Sequence, residues 1–271
     1  KKIPYISVKI NNLNYTKEEF LKLLDMKNIN IVKEIEEIYY LDSGSILDTY
    51  EFKRGQITVQ DGSSYLAAKF LAPKANERVL DTCAAPGGKS MAMAEMMDNS
   101  GEIIALDIHK HKLKLIDHRA EQMGINIIHS ELLDARKVAE KFGTESFDKV
   151  LVDAPCSGFG VIRKKPEVLY TKQMKNVQQL AKLQLEILTA ASKTVKVGGT
   201  LVYSTCTILN KENIENVTKF LKGNPNFKVE KIELPGGVTG SFDKIGGLNI
   251  FDEFLDGFYM VKMTKTKRDG E

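Results

Sequence analysis

Apolar segments that run into an aspartate recur through the middle of this chain. They are R-V-L-D at 78–81, E-I-I-A-L-D at 102–107, E-L-L-D at 131–134 and K-V-L-V-D at 149–153. Between them lie stretches of helical period, such as 63–71 and about 88–97. Strand and helix by turns predict a mostly parallel sheet covered by helices on both faces. In such sheets ligands bind beyond the carboxyl ends of the strands, where Asp81, Asp107, Asp134 and Asp153 fall. Singly, each aspartate reads equally well as a helix cap. Four at successive strand ends mark a site.

The N-terminal portion has a different pattern. Residues 3–10 alternate like a strand, and Thr16 with Glu19 forms a capping box ahead of a helix with Phe20, Leu23 and Leu24 on one face. The turn-rich F-K-R-G-Q-I-T-V-Q-D-G at 52–62 closes this small α+β unit, so the expected division is 1–56 and 57–271. Further on, a long helix is predicted over about 171–196, with Met174, Val177, Ala181, Leu188, Ala191 and Val195 on one stripe and Gly198-Gly199 as its stop. The segments F-K-V-E-K-I-E-L and F-Y-M-V-K-M read as a final strand pair joined by a long glycine-rich connection. No internal repeat or low-complexity tract interrupts the chain.

Composition narrows the function classes. A net charge of +3 from 39 basic and 36 acidic residues is too mild to indicate a nucleic-acid partner, so any such contact must be a local patch. Three cysteines at long spacing make neither a disulfide framework nor a metal motif. His109, His111, His118 and His129 lack partners at ligand spacing, so no metal is expected. No apolar run reaches the roughly 18 residues of a membrane helix. A monomeric protein of a reducing cytoplasm is expected, and the first residue, a lysine, points to further sequence upstream.

The segment D-T-C-A-A-P-G-G-K-S at 81–90 passes from strand to helix through small residues, so the backbone of 84–89 can approach a ligand closely. Asp107, one strand–helix–strand unit later, is placed to accept two ribose hydroxyls. A dinucleotide cofactor would call for G-x-G-x-x-G, which this turn lacks. A phosphate-free nucleoside such as S-adenosylmethionine suits it better.

Asp153-Ala154-Pro155-Cys156 and Tyr203-Ser204-Thr205-Cys206 each close an apolar strand, and the usual doubly wound order makes those strands neighbours. Two thiols and a carboxylate then converge. A thiolate adding to carbon 6 of cytosine turns carbon 5 into a nucleophile toward a methyl sulfonium, Asp153 can bond ring nitrogen 3, and a second thiol can assist release. Either cysteine could attack on this reasoning. Cys83, inside the turn, is read as a packing residue. The run Arg163-Lys164-Lys165 beside the proposed strand end is a candidate phosphate contact.

These pieces resemble the Nop/Sun (Fmu) family of RNA cytosine-5 methyltransferases over almost the whole chain. Q-D-G-S-S-Y-L-A-A, D-T-C-A-A-P-G-G-K-S, D-A-P-C-S-G-F-G-V-I-R-K-K-P-E, Y-S-T-C-T and D-G-F-Y-M carry the resemblance. It implies a seven-stranded Rossmann-like methyltransferase sheet preceded by a ferredoxin/RRM-like RNA-binding unit. Cys206 becomes the nucleophile and Cys156 the releasing thiol. The resemblance implies cofactor contacts through Cys83, Ala84, Ala85, Pro86, Gly87, Gly88 and Lys89, with Asp107 on the ribose, Asp134 on the adenine edge and Asp153 between cofactor and base. Lys89 faces the cytosine.

Small-subunit ribosomal RNA is the implied substrate, with transfer RNA, a dinucleotide-dependent oxidoreductase and a non-catalytic RNA-binding module as alternatives. Two departures stand out: nothing corresponds to the NusB-like helical domain that precedes the ribosomal enzymes, and G-L-N-I-F-D-E-F-L replaces their basic or His/Pro-containing segment ahead of Asp256.

Overall fold

A computed structural model describes residues 5–164, 166 and 174–271, except for the side chains of residues 174 and 175. The first unit is built from β1 (Ile6–Ile10), α1 (Lys17–Lys27), β2 (Ile31–Ile35), β3 (Ile38–Leu41), α2 (Tyr50–Lys53) and β4 (Ile57–Val59). Its sheet has the order β2-β3-β1-β4, antiparallel throughout. That β-α-β-β-α-β sequence is the ferredoxin-like arrangement. Ile57–Val59, assigned from the sequence to the second unit, pairs with β1 here. The Thr16 hydroxyl accepts from the Glu19 amide at 3.2 Å and the Thr16 amide donates to the Glu19 carboxylate at 2.8 Å, which starts α1 and turns Phe20, Leu23 and Leu24 inward.

The second sheet runs β11 (Gly240–Phe242), β12 (Leu248–Ile250), β13 (Phe258–Lys265), β9 (Val195–Thr205), β8 (Phe147–Asp153), β5 (Arg78–Asp81), β6 (Glu102–Asp107), β7 (Ile128–Leu132), with β10 (Phe227–Glu230) also on β13. The strands that matter for the site are β5 (Arg78–Asp81), β6 (Glu102–Asp107), β7 (Ile128–Leu132), β8 (Phe147–Asp153) and β9 (Val195–Thr205), all parallel. From β5 the chain steps outward to β6 and β7 and then returns to β8 on the other side of β5. The reversal opens a crevice above the ends of β5 and β8. Among the described residues this unit's α-helices are α3 (Gly62–Leu71), α4 (Gly88–Met96), α5 (Lys110–Met123), α6 (Val138–Phe142), α7 (Met174–Ser192) and α8 (Ile214–Gly223). Buried Lys9 of β1 joins the two units by an ion pair of 2.6 Å to Glu95 of α4.

Two expectations are corrected. Among the described residues the Rossmann-like sheet has nine strands rather than seven. β10 (Phe227–Glu230) and β13 (Phe258–Lys265) form the anticipated antiparallel pair, but the glycine-rich connection between them holds a hairpin of β11 (Gly240–Phe242) and β12 (Leu248–Ile250). Three-residue strands are too short to show alternation.

The long helix also ends sooner. Residues 171–173 lie outside the described residues, and α7 stops at Ser192 because the carbonyls of Lys193 and Thr194 accept from the amides of Glu145, Ser146 and Phe147. Val195 then opens β9. Gly198 and Gly199 therefore do not stop a helix but make a bulge opposite Asp148, where a Cβ on Gly199 would stand 2.8 Å from the Lys196 carbonyl oxygen.

Candidate active site

The turn after β5 is held to the neighbouring strands before it enters α4. The Thr82 amide donates to the Leu151 carbonyl at 3.1 Å and the Ala84 amide to the Leu106 carbonyl at 2.8 Å. The Ala85–Pro86 peptide is cis, and Gly87 at φ 101 starts the helix in a conformation a side chain would strain. Ser90 then donates back to buried Asp81 at 2.7 Å. Two cavities flank this turn.

The larger, of ≈ 360 Å³, is lined by Cys83, Ala85, Asp107, Asp134, Asp153, Cys156 and Cys206 among the anticipated residues. Ala84, Pro86, Gly88 and Lys89 instead line a smaller cavity of ≈ 160 Å³, which also reaches Cys83, Ala85 and Asp153. Gly87 lines neither and packs toward Ile116 of α5. Apolar walls of the larger cavity come from Ile108, Pro155, Leu183 and Ile187. None of these four was anticipated: Leu183 and Ile187 lie beside the expected stripe of α7, and only their i, i+4 spacing hints at a shared face.

Asp107 accepts from the His109 amide at 2.8 Å, which turns its carboxylate at the end of β6 toward the cavity rim. Asp134 accepts from the Arg136 amide at 3.0 Å, and the Arg136 guanidinium bonds both of its oxygens and Glu186 of α7. The bond from Arg136 holds the Asp134 carboxyl below its usual range. The Cys83 thiol is buried and pushed up to about 12, which suits packing rather than chemistry.

Where β8 and β9 end, the two other thiols meet: the Sγ atoms of Cys156 and Cys206 are 2.9 Å apart. Adjacent parallel strands in register, Asp153 opposite Ser204, bring them together. Asp153 accepts from Ser204 Oγ at 2.7 Å on one oxygen and pairs with Lys89 Nζ at 2.7 Å on the other. The two thiols differ in acidity. The hydrogen bond from Cys156 and the Lys89 ammonium hold Cys206 below the usual thiol value, against burial and the charge of Asp153. The same hydrogen bond, with burial, holds the Cys156 thiol well above it. Burial alone would lower Lys89, but the charge and hydrogen bond of Asp153 outweigh it and keep the ammonium protonated.

The cationic segment is engaged within the protein. Arg163 donates to the carbonyls of Asp252, Glu253 and Leu255, and Lys164 pairs with Asp61 at 2.7 Å and Asp256 at 3.1 Å. Lys165 lies outside the described residues. Among the described residues there is no cluster of three or more His, Cys, Asp or Glu side chains that could hold a metal ion, and no helix is long and apolar enough to cross a membrane.

A family model described as 16S rRNA methyltransferase RsmB/F matches residues 68–264. The probable ribosomal RNA small subunit methyltransferase B of Bacillus subtilis (strain 168) is 44% identical over 270 residues, covering 97% of this chain and 60% of that protein. The ribosomal RNA small subunit methyltransferase B of Enterobacter sp. (strain 638) is 33% identical at the same coverage. The chain thus spans about 60% of the length of these curated relatives. Among solved structures, that of PH0851 superposes with a TM-score of 0.92 at 34% identity, over 98% of this chain and 60% of that one. NSun6 from Pyrococcus horikoshii with SFG gives 0.87 at 21% identity, over 98% and 92%, and supports the fold.

Proposed function

The chain belongs to the 16S rRNA methyltransferase RsmB/F family, and from that membership we propose that it methylates carbon 5 of a cytosine in RNA, with small-subunit ribosomal RNA as substrate. One observation carries the cytosine-5 reading: the contact of Cys156 and Cys206 at 2.9 Å beside the Lys89–Asp153 pair. Base chemistry of this kind needs a nucleophile and a group that eases its departure, and two thiols of opposite acidity supply both.

The larger cavity fits S-adenosylmethionine, the methyl donor of the reaction. Its polar wall carries Asp107, Asp134 and Asp153 with Lys112 and Arg136, the latter bound to Asp134, and apolar Ile108, Pro155, Leu183 and Ile187 lie between. That set suits a cationic, phosphate-free nucleoside. Asp107 would take the ribose hydroxyls and Asp134 the adenine edge, with Cys83 and Ala85 of the turn against the rest. Bound there, the cofactor supplies an electrophilic methyl on a sulfonium.

Cys206, as the thiolate, adds to carbon 6 of the cytosine, and the electrons of the 5,6 double bond become available at carbon 5. Asp153, held by Lys89 and Ser204, takes a proton from the Lys89 ammonium and passes it to ring nitrogen 3 as negative charge builds there. After methyl transfer the carbon 5 proton passes to water, the electrons of that C–H bond reform the 5,6 double bond, and the carbon 6–sulfur bond breaks to release Cys206 as the thiolate. The Cys156 thiol, hydrogen-bonded to the departing sulfur, eases that expulsion. The ferredoxin-like unit, which includes β4, holds the RNA strand, while Arg163 and Lys164 serve the fold through the bonds described above. The protein works as a monomer in the cytoplasm.

The test is adduct trapping. Wild type, Cys156→Ala and Cys206→Ala are incubated with small-subunit ribosomal RNA and S-adenosylmethionine and run on a denaturing gel. Cys156→Ala should accumulate a protein–RNA band and Cys206→Ala should form none. The reverse pattern would exchange the roles of the thiols.

A further inference from the structure

Glu212 is fully buried in the turn between Cys206 and α8, and among the described residues no cation pairs with it. A carboxylate placed there is costly unless hydrogen bonds replace water. One of its oxygens accepts from the Ser157 amide at 2.9 Å and from Gln184 Nε2 at 2.8 Å, and the other from the Ser157 hydroxyl at 2.5 Å. Its backbone carbonyl accepts from Tyr203 OH at 2.6 Å. Gln184 also donates to the Pro155 carbonyl at 2.9 Å and is itself held by Asn216 at 3.0 Å.

The bonds converge on one loop. Pro155 and Ser157 are the residues on either side of Cys156, and Ser157 further contacts Thr207, the neighbour of Cys206, at 2.8 Å. Cys206 itself directly follows β9, which is paired on both sides by β8 and β13. Cys156 lies three residues beyond β8, in a loop whose two ends are tied to the nucleophile's segment by the Ala154 amide on the Ser204 carbonyl at 2.9 Å and the Gly160 amide on the Cys206 carbonyl at 3.0 Å. Between those ends the loop is held through Ser157 and Pro155 by Glu212 and Gln184.

We propose that Glu212 is a positioning residue that sets the Cys156 thiol against Cys206 and thereby controls release of the methylated base. The proposal rests on the cytosine-5 reading given above. Cutting the tie leaves Cys206 on its strand and frees Cys156, so a Glu212→Ala enzyme attacks but releases slowly. It imitates loss of Cys156, whereas a general defect in folding would lower attack and release together. Cys206 has Cys156 as its hydrogen-bond partner and feels the charges of Asp153 and Lys89, and of these three only Cys156 lies in the loop that Glu212 holds.

The experiment compares Glu212→Ala, Glu212→Gln, Ser157→Ala and Cys156→Ala with wild type by two readouts. The first is the amount of denaturation-resistant adduct with ribosomal RNA and S-adenosylmethionine. The second, without RNA, is the pH dependence of Cys206 alkylation by iodoacetamide, located by peptide mass. Glu212→Ala should raise the adduct about tenfold, the size of losing a charge-assisted hydrogen bond, and move the alkylation inflection upward as Cys156→Ala does. Glu212→Gln, which keeps an acceptor for Ser157 and Gln184, should return both toward wild type.

A folded Glu212→Ala protein with unchanged adduct and inflection overturns the proposal. If that variant does not fold, Ser157→Ala decides by the same readouts. If no protein forms an adduct, the cytosine reading fails and the alkylation profile alone judges Glu212.

Discussion

Lys89 Nζ lies 2.7 Å from an oxygen of Asp153 whose other oxygen is held by Ser204, so one carboxylate is fixed between the first turn of α4 and the end of β9. The ammonium also lowers the Cys206 thiol. Lys89→Met should therefore do two things at once: shift Cys206 alkylation to higher pH and reduce methyl transfer by about a hundredfold, the scale of losing a positioned acid–base group. Rapid alkylation at neutral pH in the variant would mean that Lys89 contributes nothing to the thiolate.

Lys9 and Glu95 are both buried, and the Asn12 amide shares the Glu95 oxygen at 3.1 Å. The pair joins β1 to α4, so its loss loosens the small unit from the helix that begins with Gly88 and Lys89. Lys9 also reaches half-exposed Glu37 at 3.2 Å, so Glu95→Ala leaves its charge only partly compensated and should cost about 3 kcal/mol in urea unfolding, the low end for a broken buried pair. The Lys9→Met, Glu95→Met double variant should recover most of that, because no charge stays buried.

Arg163 was expected from its sequence neighbours to hold RNA phosphate, yet its guanidinium caps three carbonyls of the segment before Asp256. Arg163→Met should lower stability by about 1–2 kcal/mol, since two half-buried carbonyls and an exposed one lose a charged donor. It should leave the salt dependence of RNA binding unchanged, whereas loss of a phosphate contact would reduce that slope by about one. Urea unfolding and salt-dependent filter binding separate the two roles.

What was legible in the sequence was whatever repeats with a period or a chemical pattern. Apolar runs ending at Asp81, Asp107 and Asp153 located β5, β6 and β8, and the order of parallel strands brought Cys156 and Cys206 together. Glu212 was not legible, because in N-K-E-N-I it has the pattern of a solvated turn and only tertiary contact shows it buried. The end of α7 was misread for a related reason. Its stripe continues in phase to Val195, but the carbonyls of Lys193 and Thr194 are taken by the start of β8, a competition invisible to periodicity. The split of the turn 83–89 between two cavities likewise depends on how α4 packs, not on its small residues.

Asp81 is almost entirely buried at the end of β5; one oxygen accepts from Ser90, and among the described residues the other has no hydrogen-bond partner. Burial, with the nearby charge of Asp153, pushes its carboxyl up from 3.8 to about 6, against the bonds and charge that favour ionisation. An acid whose folded pKa is raised holds its proton more tightly in the native state. Its contribution to stability is therefore complete below about pH 4 and is lost as pH rises from about 4 to 6. A shift of this size corresponds to about 3 kcal/mol. Asp81→Asn keeps an acceptor for Ser90 and carries no charge, so it should not suffer that loss. Urea unfolding of wild type and variant at pH 4.5, 5.5, 6.5 and 7.5 should show the difference moving in the variant's favour up to about pH 6 and staying level above it. A difference that does not change with pH would mean that Asp81 is as acidic in the folded protein as in the unfolded chain.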